Sequence, residues 1–500
     1  MVYYEYIPNC KGDSHMPNRK LLALMLSTAL LLPLTSCGNT ATETTADTVA
    51  ADTVPVETET EKLPSGLPDM DLNGFVLTFL RSGVKFIEKG IWTEELTGDA
   101  VPDAIYERNL FLEEAYNCSI EIQESPSQHP NTEIEQYVMG GDDTVDVLMD
   151  GGQFIAANSQ NFMDLNSLQY FDFSQPWWNK EFNEGISLGG RLYFTVGAYG
   201  TTAKGNIFHV IFNKQVARDN GIDPDSMYNH VYEDTWTLDQ MTEYAALVKS
   251  DLNGDGTYDT NDLWGLIGEN YITWTLALGA GFRCADKDEN DLPIVTFNTE
   301  HNLDILNTVM ALAGSREYAL FAQRMTGVAD VWSTYSVMAK TDGCWLFRVG
   351  SLGDNMREME DDYGVLPSPK FDEMQDRYYH DASLGNSPTT AVPISCSDAD
   401  TVSFLLEAMS YESFYRVLPV FYDNYMHTKL VRDEESVEML KIVHDTLYYD
   451  IGALFNWGDM RMMIENMVDK PENTIASTYA ANEKRIQTDL ENTIKRMSES

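Results

Sequence analysis

The chain has 500 residues, of which 43% are hydrophobic, so it is long enough to form two domain-sized cores. It carries 79 acidic and 33 basic residues, and a surface with a net charge of −46 repels phosphate backbones and anionic lipid headgroups. We therefore exclude nucleic acid as a partner. The 26 Tyr, 21 Phe and 9 Trp argue against a disordered acidic chain, because they supply apolar area to bury.

The six cysteines form no CxxC pair, and the histidines are scattered along the chain. A zinc site or a thioredoxin-type redox site therefore has no support. Cys118, Cys284, Cys344 and Cys396 are interpreted as small buried hydrophobic residues, with one disulfide among them left open.

The first 36 residues predict a secretory signal. Arg19 and Lys20 form a short basic region, and Leu21–Leu34 is an apolar run too short to span a membrane comfortably. Residues 1–15 resemble no targeting segment, so we expect translation to start at Met16. The sequence thus predicts a signal peptide over residues 1–36.

The signal ends at a cysteine. Residues 34–38 (LTSCG) resemble the bacterial lipobox, which implies that Cys37 is acylated, for example with palmitate; an ordinary secretory signal is the alternative. Residues 39–62 are rich in Thr, Glu, Asp and Ala and hold too little apolar surface to order themselves. We therefore predict a lipidated flexible stalk over residues 37–66, which tethers the protein to the extracellular face of the cell membrane.

The folded body begins with alternating strands and helices. The predicted strands are Phe75–Leu80, Ser119–Gln123 and Val145–Met149, and the predicted helices are Asp103–Tyr116 and Asn131–Met139. This order is typical of a parallel sheet, in which ligands collect beyond the carboxyl ends of the strands. Asp150 and Gln153 follow the third strand and are therefore candidate ligand-binding residues, with a helix cap as the alternative for Asp150.

Hydrophobic periodicity and turn residues place further elements along the rest of the body. Thr237 caps one of the helices, with Gln240 three residues later as in a capping box. No internal repeat is present. These predicted elements are a hairpin-like strand at Gly189–Tyr199, a crossover at Gly197–Gly205, strands at Asn206–Phe212, Leu263–Ile267, Tyr363–Pro369 and Thr390–Ile394, a helix or strand at Val337–Phe347, and helices at Leu238–Lys249, Asn302–Ala313, Ser403–Ser410, Glu435–Tyr449 and Thr474–Met497.

Residues 251–262 (DLNGDGTYDTND) form the most specific chemical motif in the chain. Oxygen-bearing residues stand at positions 1, 3, 5, 7, 9 and 12, and a glycine at position 6 permits the sharp turn that calcium loops need. The alternative is a solvated acidic turn. Because the loop is single and only one helix flanks it, a calcium sensor or a dockerin is not expected; we predict a structural Ca2+ with an affinity of about 0.1–1 mM. The candidate ligands are Asp251, Asn253, Asp255, Thr257, Asp259 and Asp262.

Four passages in order resemble the extracellular solute-binding lipoproteins of carbohydrate-uptake ABC transporters (family 1). The resemblance covers roughly Leu67 to the C-terminus, and Phe212 and Cys344 depart from the family's usual Tyr and Pro. The passages are Gly190-Arg191-Leu192-Tyr193 with Phe212-Asn213-Lys214, Thr235-Trp236-Thr237, Met338-Ala339 through Gly343-Cys344-Trp345, and Tyr363 through Lys370 (YGVLPSPK).

This resemblance implies an α/β, two-lobed periplasmic-binding-protein-like fold (type II), in which each lobe is a mixed sheet flanked by helices and is discontinuous in sequence. The expected lobes are residues 67–197 plus 371–423 and residues 205–370 plus 424–500. The resemblance also implies a small-molecule solute, expected to be a carbohydrate, held in the cleft between the lobes. The expected partner is the permease of an ABC transporter, and we expect a monomer.

Sugars offer C–H faces to aromatic rings and hydroxyl groups to polar side chains. Core packing is the alternative for each single Trp. The resemblance places Tyr199 and Trp345 near the lobe crossings, which favours those two. The full set of ligand-binding candidates is Asp150, Gln153, Trp177, Trp178, Tyr199, Trp274, Trp332, Trp345, Arg348 and Trp457.

Three other functions remain open at the level of sequence. An enzyme has no support, since no nucleophile-elbow, zincin, Walker A or dinucleotide-binding motif is present. Counting acidic residues neither supports nor excludes a glycosidase-type carboxylate pair. A surface glycan-binding or adhesion lipoprotein would capture polymer without transport. A non-sugar solute such as a peptide is the third.

Overall fold

Two mixed β-sheets, each covered by helices, make up the folded body. The computed structural model describes residues 62–83, 91–200, 207–352, 356, 359–381, 388–427, 431–470 and 474–499. The predicted signal peptide, Met16, Cys37 and nearly all of the predicted stalk lie outside the described residues. Lys62–Ser500 form one compact unit.

Most strands of the two sheets are buried on both faces, as expected where helices cover both sides of a sheet. The strands are β1 Phe75–Arg81, β2 Cys118–Glu124, β3 Val147–Gly151, β4 His209–Asn213, β5 Trp264–Gly268, β6 Ala285–Lys287, β7 Pro293–Val295, β8 Ala319–Phe321, β9 Trp345–Gly350, β10 Tyr363–Leu366, β11 His380–Asp381, β12 Pro388–Ala391 and β13 Leu447–Tyr448.

Many of the helices begin at an Asn, Asp or Thr side chain that accepts a hydrogen bond from a backbone N–H of the first turn. The helices are α1 Ala100–Tyr116, α2 Asn131–Gly140, α3 Gly152–Ala157, α4 Lys180–Ile186, α5 Lys214–Asp219, α6 Pro224–Tyr232, α7 Leu238–Leu247, α8 Tyr271–Gly279, α9 Glu300–Ala313, α10 Val331–Met338, α11 Ala399–Glu412, α12 Leu418–His427, α13 Glu434–Asp445, α14 Ile451–Leu454, α15 Met460–Glu465 and α16 Ile475–Glu499.

The first sheet has the strand order β12-β3-β1-β2. Strand β1 pairs in parallel with both β2 and β3, and β12 is antiparallel to β3. The parallel sheet predicted from the alternation of strands and helices is therefore confirmed. It gains its fourth strand from a segment more than 200 residues later in the chain, so this sheet is discontinuous in sequence.

The second sheet has the strand order β10-β4-β9-β5-β8. Strands β5, β8 and β9 are parallel to one another, and β4 is antiparallel to both of its neighbours, β9 and β10. Two smaller pairs, β11 with β13 and β6 with β7, complete the strand pairing of the described residues.

The chain crosses between the sheets at their carboxyl edges. Strand β4 begins and β10 ends at the edge where β5, β8 and β9 end, because β4 runs against its neighbours. In the first sheet, Pro388 at the start of β12 lies opposite Gly151 at the end of β3, and Thr195 bridges to Thr390 just before the chain leaves for β4. The edges where a ligand is expected therefore lie beside the connections.

Three predicted elements differ from the structure. Gly189–Tyr199 is not a strand: Gly189 and Gly190 have positive φ and form a turn, and the rest makes only isolated bridges. The predicted element at Val337–Phe347 is divided between the end of α10 and the start of β9. The helix predicted to reach Tyr449 ends at Asp445, because the following residues pair with β11.

Four of the six cysteines lie within the described residues. Cys118, Cys284, Cys344 and Cys396 are free thiols, so no disulfide joins them, and Cys284 and Cys396 are buried as expected. No helix within the described ranges has both the length and the apolar character that a membrane span requires.

Candidate functional site

The carboxyl edge of the second sheet gathers four polar side chains, which we call the Arg348 cluster: Arg348, Glu269, Tyr335 and His209. Arg348 lies on β9 between Ile211 of β4 and Ile267 of β5. Its guanidinium reaches to the end of the strand, since a Cβ placed on Gly350 would be 3.3 Å from Nη2.

The other three members come to this edge from three different elements. Glu269 directly follows the last residue of β5, and His209 begins β4 opposite Gly350. Tyr335 lies in α10, and the electrostatic influence of both Arg348 and Glu269 reaches its hydroxyl group. The four side chains are thus positioned by β4, β9, the end of β5 and α10.

Among the described residues, three buried atoms of the Arg348 cluster have no hydrogen-bond partner of full geometry: Arg348 Nε, Tyr335 Oη and His209 Nε2. Their residues are 9%, 4% and 1% exposed. Among the described residues, the guanidinium contacts Met356 Sδ through Nη1 at 3.2 Å. Buried polar groups are nearly always paired, and an unpaired one costs about 1–3 kcal/mol, so such a group of atoms indicates a site that a ligand completes.

Burial sets the protonation of the cluster. It raises the pKa of Glu269 to about 7, an effect that the Arg348 charge opposes. It lowers the pKa of His209 to about 4, so this imidazole is neutral at pH 7. His209 Nδ1 lies 3.1 Å from the Ile207 carbonyl oxygen and must donate to it, which leaves Nε2 as an acceptor. The cluster therefore holds one full cation, a carboxyl group near its midpoint and a neutral acceptor.

Asp381 and Trp274 form a second group of unpaired polar atoms at the same edge. The Asp381 carbonyl accepts a hydrogen bond from Phe208 N at 3.3 Å, and Phe208 directly precedes His209. Both carboxylate oxygens of Asp381 and the indole Nε1 of Trp274 are buried without a partner; the indole faces the carboxylate without completing a hydrogen bond. Burial raises the pKa of Asp381, and the charge of Arg461 opposes this shift.

The carboxyl edge of the first sheet carries Asp150, which is fully buried near the end of β3. Its oxygens lie 3.1 and 3.2 Å from His129 Nδ1, and it also accepts a hydrogen bond from Gly151 N at 2.7 Å. The His129 ring is stacked on Phe154. Asp150 does not cap α3, whose N-terminal cap is Gly151, so the alternative interpretation of Asp150 is not supported. Gln153 lies half-buried in the first turn of α3.

Trp177, Trp178 and Tyr199 lie in the core of the first-sheet region rather than on an open face. The two indole N–H groups donate to the Glu407 carboxyl at 2.6 and 2.8 Å, and the Tyr199 hydroxyl lies 2.5 Å from Thr390 Oγ1. Both indoles are nearly inaccessible. The structure gives no support to these rings as sugar platforms, because a ring face must be accessible to pack on a sugar.

The remaining tryptophans are separated in the fold. Trp345 begins β9 and so lies at the amino end of the second sheet, opposite the edge that carries Arg348. Trp457 is buried and donates to Thr493 Oγ1 of α16 at 3.0 Å. Trp332 is 42% exposed and stands three residues before Tyr335, on the same face of α10. Arg348 therefore lies at the carboxyl edge, Trp274 beside Asp381 and Trp332 one helical turn before Tyr335, whereas Trp345 and Trp457 lie elsewhere.

The predicted calcium loop lies between α7 and β5, so the predicted helix on one side and strand on the other are confirmed. Its side chains hold the loop by accepting backbone hydrogen bonds. Asp251 accepts from Gly254 and Gly256 at 2.7 and 2.8 Å, and the buried Asp262 accepts from Leu252 and Asp259 at 2.9 and 2.8 Å.

These hard oxygens suit calcium chemically, and each carboxylate oxygen can accept more than one interaction. However, within the described residues no three His, Cys, Asp or Glu side chains are grouped in a way that would hold a metal ion. Asn253, Asp255, Thr257 and Asp259 lie on the exposed part of the loop or next to it. Calcium binding at this loop stays a prediction.

Glu269, His209, Tyr335 and Asp381 were not predicted as site residues. Two of them carry a signal in the sequence: Glu269 is the first polar residue after the predicted strand Leu263–Ile267, and His209 interrupts the apolar run of the Asn206–Phe212 strand. No local pattern marks Tyr335 or Asp381, since the fold brings them to the edge from a helix and a long connection.

A cavity of about 310 Å³ lies away from both sheet edges, between α15 and α16. Methionines supply much of its apolar lining, among them Met462, Met463 and Met467. None of the predicted ligand-binding residues lines it.

No protein-family model matches the chain, and no curated protein matches it either. Several solved structures are similar to the chain. A cyclic alpha-maltosyl-1,6-maltose binding protein from Arthrobacter globiformis matches with a TM-score of 0.56 and 12% identity, over 84% of this chain and 100% of that chain. M. tuberculosis UspC matches with a TM-score of 0.53 and 14% identity, over 83% and 100%. A cyclo/maltodextrin-binding protein complexed with maltotetraose matches with a TM-score of 0.52 and 13% identity, over 87% and 97%.

The chain has the fold of these binding proteins. The predicted α/β fold class with two mixed, discontinuous sheets is therefore confirmed. In two-domain binding proteins of this kind, ligands are enclosed by hinge or shear closure of the domains. The Arg348 cluster and the Asp381 group stand where that enclosure is expected, beside the connections between the sheets. The exact limits of the two lobes stay a prediction.

Proposed function

We propose that the protein is an extracellular substrate-binding protein that captures a sugar or oligosaccharide between its two sheets and delivers it to the permease of an ABC transporter. One observation carries this proposal: at the carboxyl edge of the second sheet, next to the chain crossings, buried polar atoms of Arg348, His209 and Asp381 have no hydrogen-bond partner among the described residues. A sugar hydroxyl both donates and accepts, so hydroxyl groups can satisfy Arg348 Nε, His209 Nε2 and the Asp381 oxygens together.

The resembled structures support a binding function rather than catalysis. Two of the three are named as binding proteins for maltose- or maltodextrin-type saccharides. The partly exposed Trp332 supports the same class of ligand, since its ring can cover a C–H face of a sugar. We propose no catalytic role for any residue.

We also propose that Cys37 anchors the protein to the membrane, that the loop at residues 251–262 binds Ca2+ as a local clip, and that the binding protein acts as a monomer. The clip joins the end of α7 to the start of β5 and does not touch the ligand. A Cys37→Ser variant expressed with its signal tests the anchor, because it should move from the membrane fraction to the medium.

The function is tested by intrinsic tryptophan fluorescence and calorimetry of the whole folded body against a panel of saccharides and peptides. We expect a saccharide to bind with 1:1 stoichiometry, and we expect Trp332→Ala to weaken it while Trp345→Phe leaves it unchanged. Binding of a peptide with no response to any saccharide would overturn the carbohydrate assignment. Turnover of a glycan by the purified protein would overturn the binding-only assignment. Mass spectrometry of a co-purified small molecule identifies the ligand directly.

A further inference from the structure

The Arg348 guanidinium is a buried cation whose carboxyl neighbour in the cluster, Glu269, acts on it electrostatically but does not form an ion pair with it. No carboxylate of the described residues forms an ion pair with it, and its Nη1 contacts only the Met356 thioether. Other buried cations are treated differently. Lys214 pairs with Asp433 and Lys370 with Asp234, each at 2.7 Å.

Arg108 is a second useful contrast within the same protein. It is fully buried and has no carboxylate partner, yet its guanidinium donates to Ser413 Oγ at 2.8 Å, to Asn109 Oδ1 and to the Ile91 carbonyl. The donors of Arg108 are thus used by the protein itself. Arg348 Nε has no partner among the described residues, and the neighbouring Tyr335 hydroxyl lies within hydrogen-bonding reach of the guanidinium without the geometry of a full hydrogen bond.

We infer that Arg348 pairs with a singly charged anionic group on the bound sugar, a uronate carboxylate or a sulfate ester, so that the site selects acidic over neutral saccharides. This inference rests on the proposed function. It adds a substrate class that the fold does not specify.

The arrangement of the cluster fits such a group. The planar guanidinium lies at the sheet edge and presents its donors as a fork, which matches two oxygens of a carboxylate or sulfate. Tyr335 Oη adds a donor from α10. His209 Nε2, a neutral acceptor, suits a hydroxyl group on the same sugar ring. Trp332, one helical turn before Tyr335, offers its exposed face to the ring.

The charge of the cluster limits the anion to one negative charge. Arg348 supplies one cation and His209 is neutral, whereas Glu269, with a pKa of about 7, is partly ionised at pH 7, so the three groups together carry at most one positive charge. A phosphate monoester carries about −1.5 to −2 at pH 7 and would exceed the single cation. The overall charge of −46 does not prevent binding, since charges farther than about 8 Å are largely screened at physiological salt.

Calorimetry of the full folded body with matched ligand pairs tests the inference. Each pair consists of a uronate oligosaccharide (glucuronate, galacturonate or mannuronate) and its carboxyl-reduced neutral counterpart, and a sulfated neutral oligosaccharide forms a third arm. We expect at least one acidic ligand to bind about 30-fold or more tightly than its neutral counterpart. Arg348→Gln should remove that preference, and Arg348→Lys should keep part of it because it retains the charge but not the fork.

Arg218→Gln is the matched control, since it removes one positive charge from an exposed side chain that lies 3.6 Å from the Asp362 carboxylate. It should leave the acidic preference unchanged. If Arg348→Gln does not fold, Arg348→Lys and the wild-type ligand pairs still decide the question.

The outcomes separate the inference from the proposed function. Preference for uronate assigns the anion to a carboxylate, and preference for the sulfated arm assigns it to a sulfate ester. Equal binding of neutral and acidic saccharides, unaffected by Arg348→Gln, overturns the inference and leaves the sugar-binding function in place. Binding of peptides and of no saccharide overturns both.

Discussion

Two carboxyl groups, the buried Glu407 and the half-buried Glu269, have the same raised pKa of about 7 in different surroundings. Glu407, beside the first sheet, accepts hydrogen bonds from Trp177 Nε1, Trp178 Nε1 and Asp172 N. Glu269, at the edge of the second sheet, accepts no side-chain hydrogen bond from any residue within the described ranges. Desolvation therefore raises the pKa of both groups, but only the Glu407 carboxyl is held by hydrogen bonds among the described residues.

Neighbouring polar residues in the two regions also differ in whether they have hydrogen-bond partners. In the first-sheet region, Asp150 has His129 and Tyr199 has Thr390. At the edge of the second sheet, atoms of Arg348 and Asp381 remain unpaired. We conclude that substitutions in the first region act mainly on stability, whereas those in the second act mainly on ligand binding.

The largest expected effect is that of Glu407→Ala on folding. The substitution leaves two buried indole N–H groups and one backbone N–H without an acceptor and removes packing, so we expect a loss of about 4 kcal/mol of unfolding free energy. Urea denaturation followed by circular dichroism measures it. Glu435→Ala, at an exposed position of α13, is the control and should change stability by less than about 0.5 kcal/mol. A loss as small as that of the control would mean that the hydrogen bonds of Glu407 contribute little to stability.

The raised pKa of Glu269 predicts that the stability of the protein depends on pH. Its folded pKa of about 7 lies above the ordinary value of 4.5, so the folded state binds the proton more tightly. Stability is therefore full below about pH 4.5 and falls as pH rises through 7. Glu269→Gln should remove roughly 2 kcal/mol of this fall between pH 5 and 8, measured as urea midpoints across pH. Parallel curves for the two proteins would contradict the buried environment of Glu269.

Much of the fold follows from local pattern, as particular elements demonstrate. Strands β1 to β3 and helices α1 and α2 were predicted because their apolar spacing is strict and their ends carry turn residues. Gly189–Tyr199 was wrongly predicted as a strand, since a run of apolar residues is compatible with a strand and with an irregular buried segment alike.

The candidate site was harder to predict, for a reason that Trp178 and Trp332 illustrate. Both are tryptophans near polar residues, yet Trp178 is buried with its N–H donated to Glu407, whereas Trp332 has an exposed face. Sequence identifies the ring but not the neighbour 229 positions away that covers it. Arg348, a predicted ligand-binding residue, lies at this edge, but its surroundings depend on Met356, Tyr335 and β4, which only the fold brings together.

Asp381→Asn tests whether the unpaired atoms of the second region serve the ligand. Removing a buried charge that lacks a partner should raise the unfolding free energy of the ligand-free protein, by about 1 kcal/mol. The same substitution should weaken ligand binding about tenfold, equivalent to about 1.4 kcal/mol. Thermal unfolding and calorimetry measure the two effects. A loss of stability with unchanged affinity would place Asp381 with Glu407, as a structural residue.

The smallest expected effect concerns the loop at residues 251–262, which lies in the second-sheet region but away from its carboxyl edge. At calcium about five times the dissociation constant, binding to the folded state alone stabilises it by about 1 kcal/mol. Asp255→Ala should abolish this calcium-dependent rise in Tm and leave Tm in chelator nearly unchanged, since Asp255 is exposed. Asp239→Ala, on α7 outside the loop, should keep the calcium response. An identical response of the wild type and Asp255→Ala in calcium and in chelator would show that the loop is an acidic turn held by its own backbone hydrogen bonds.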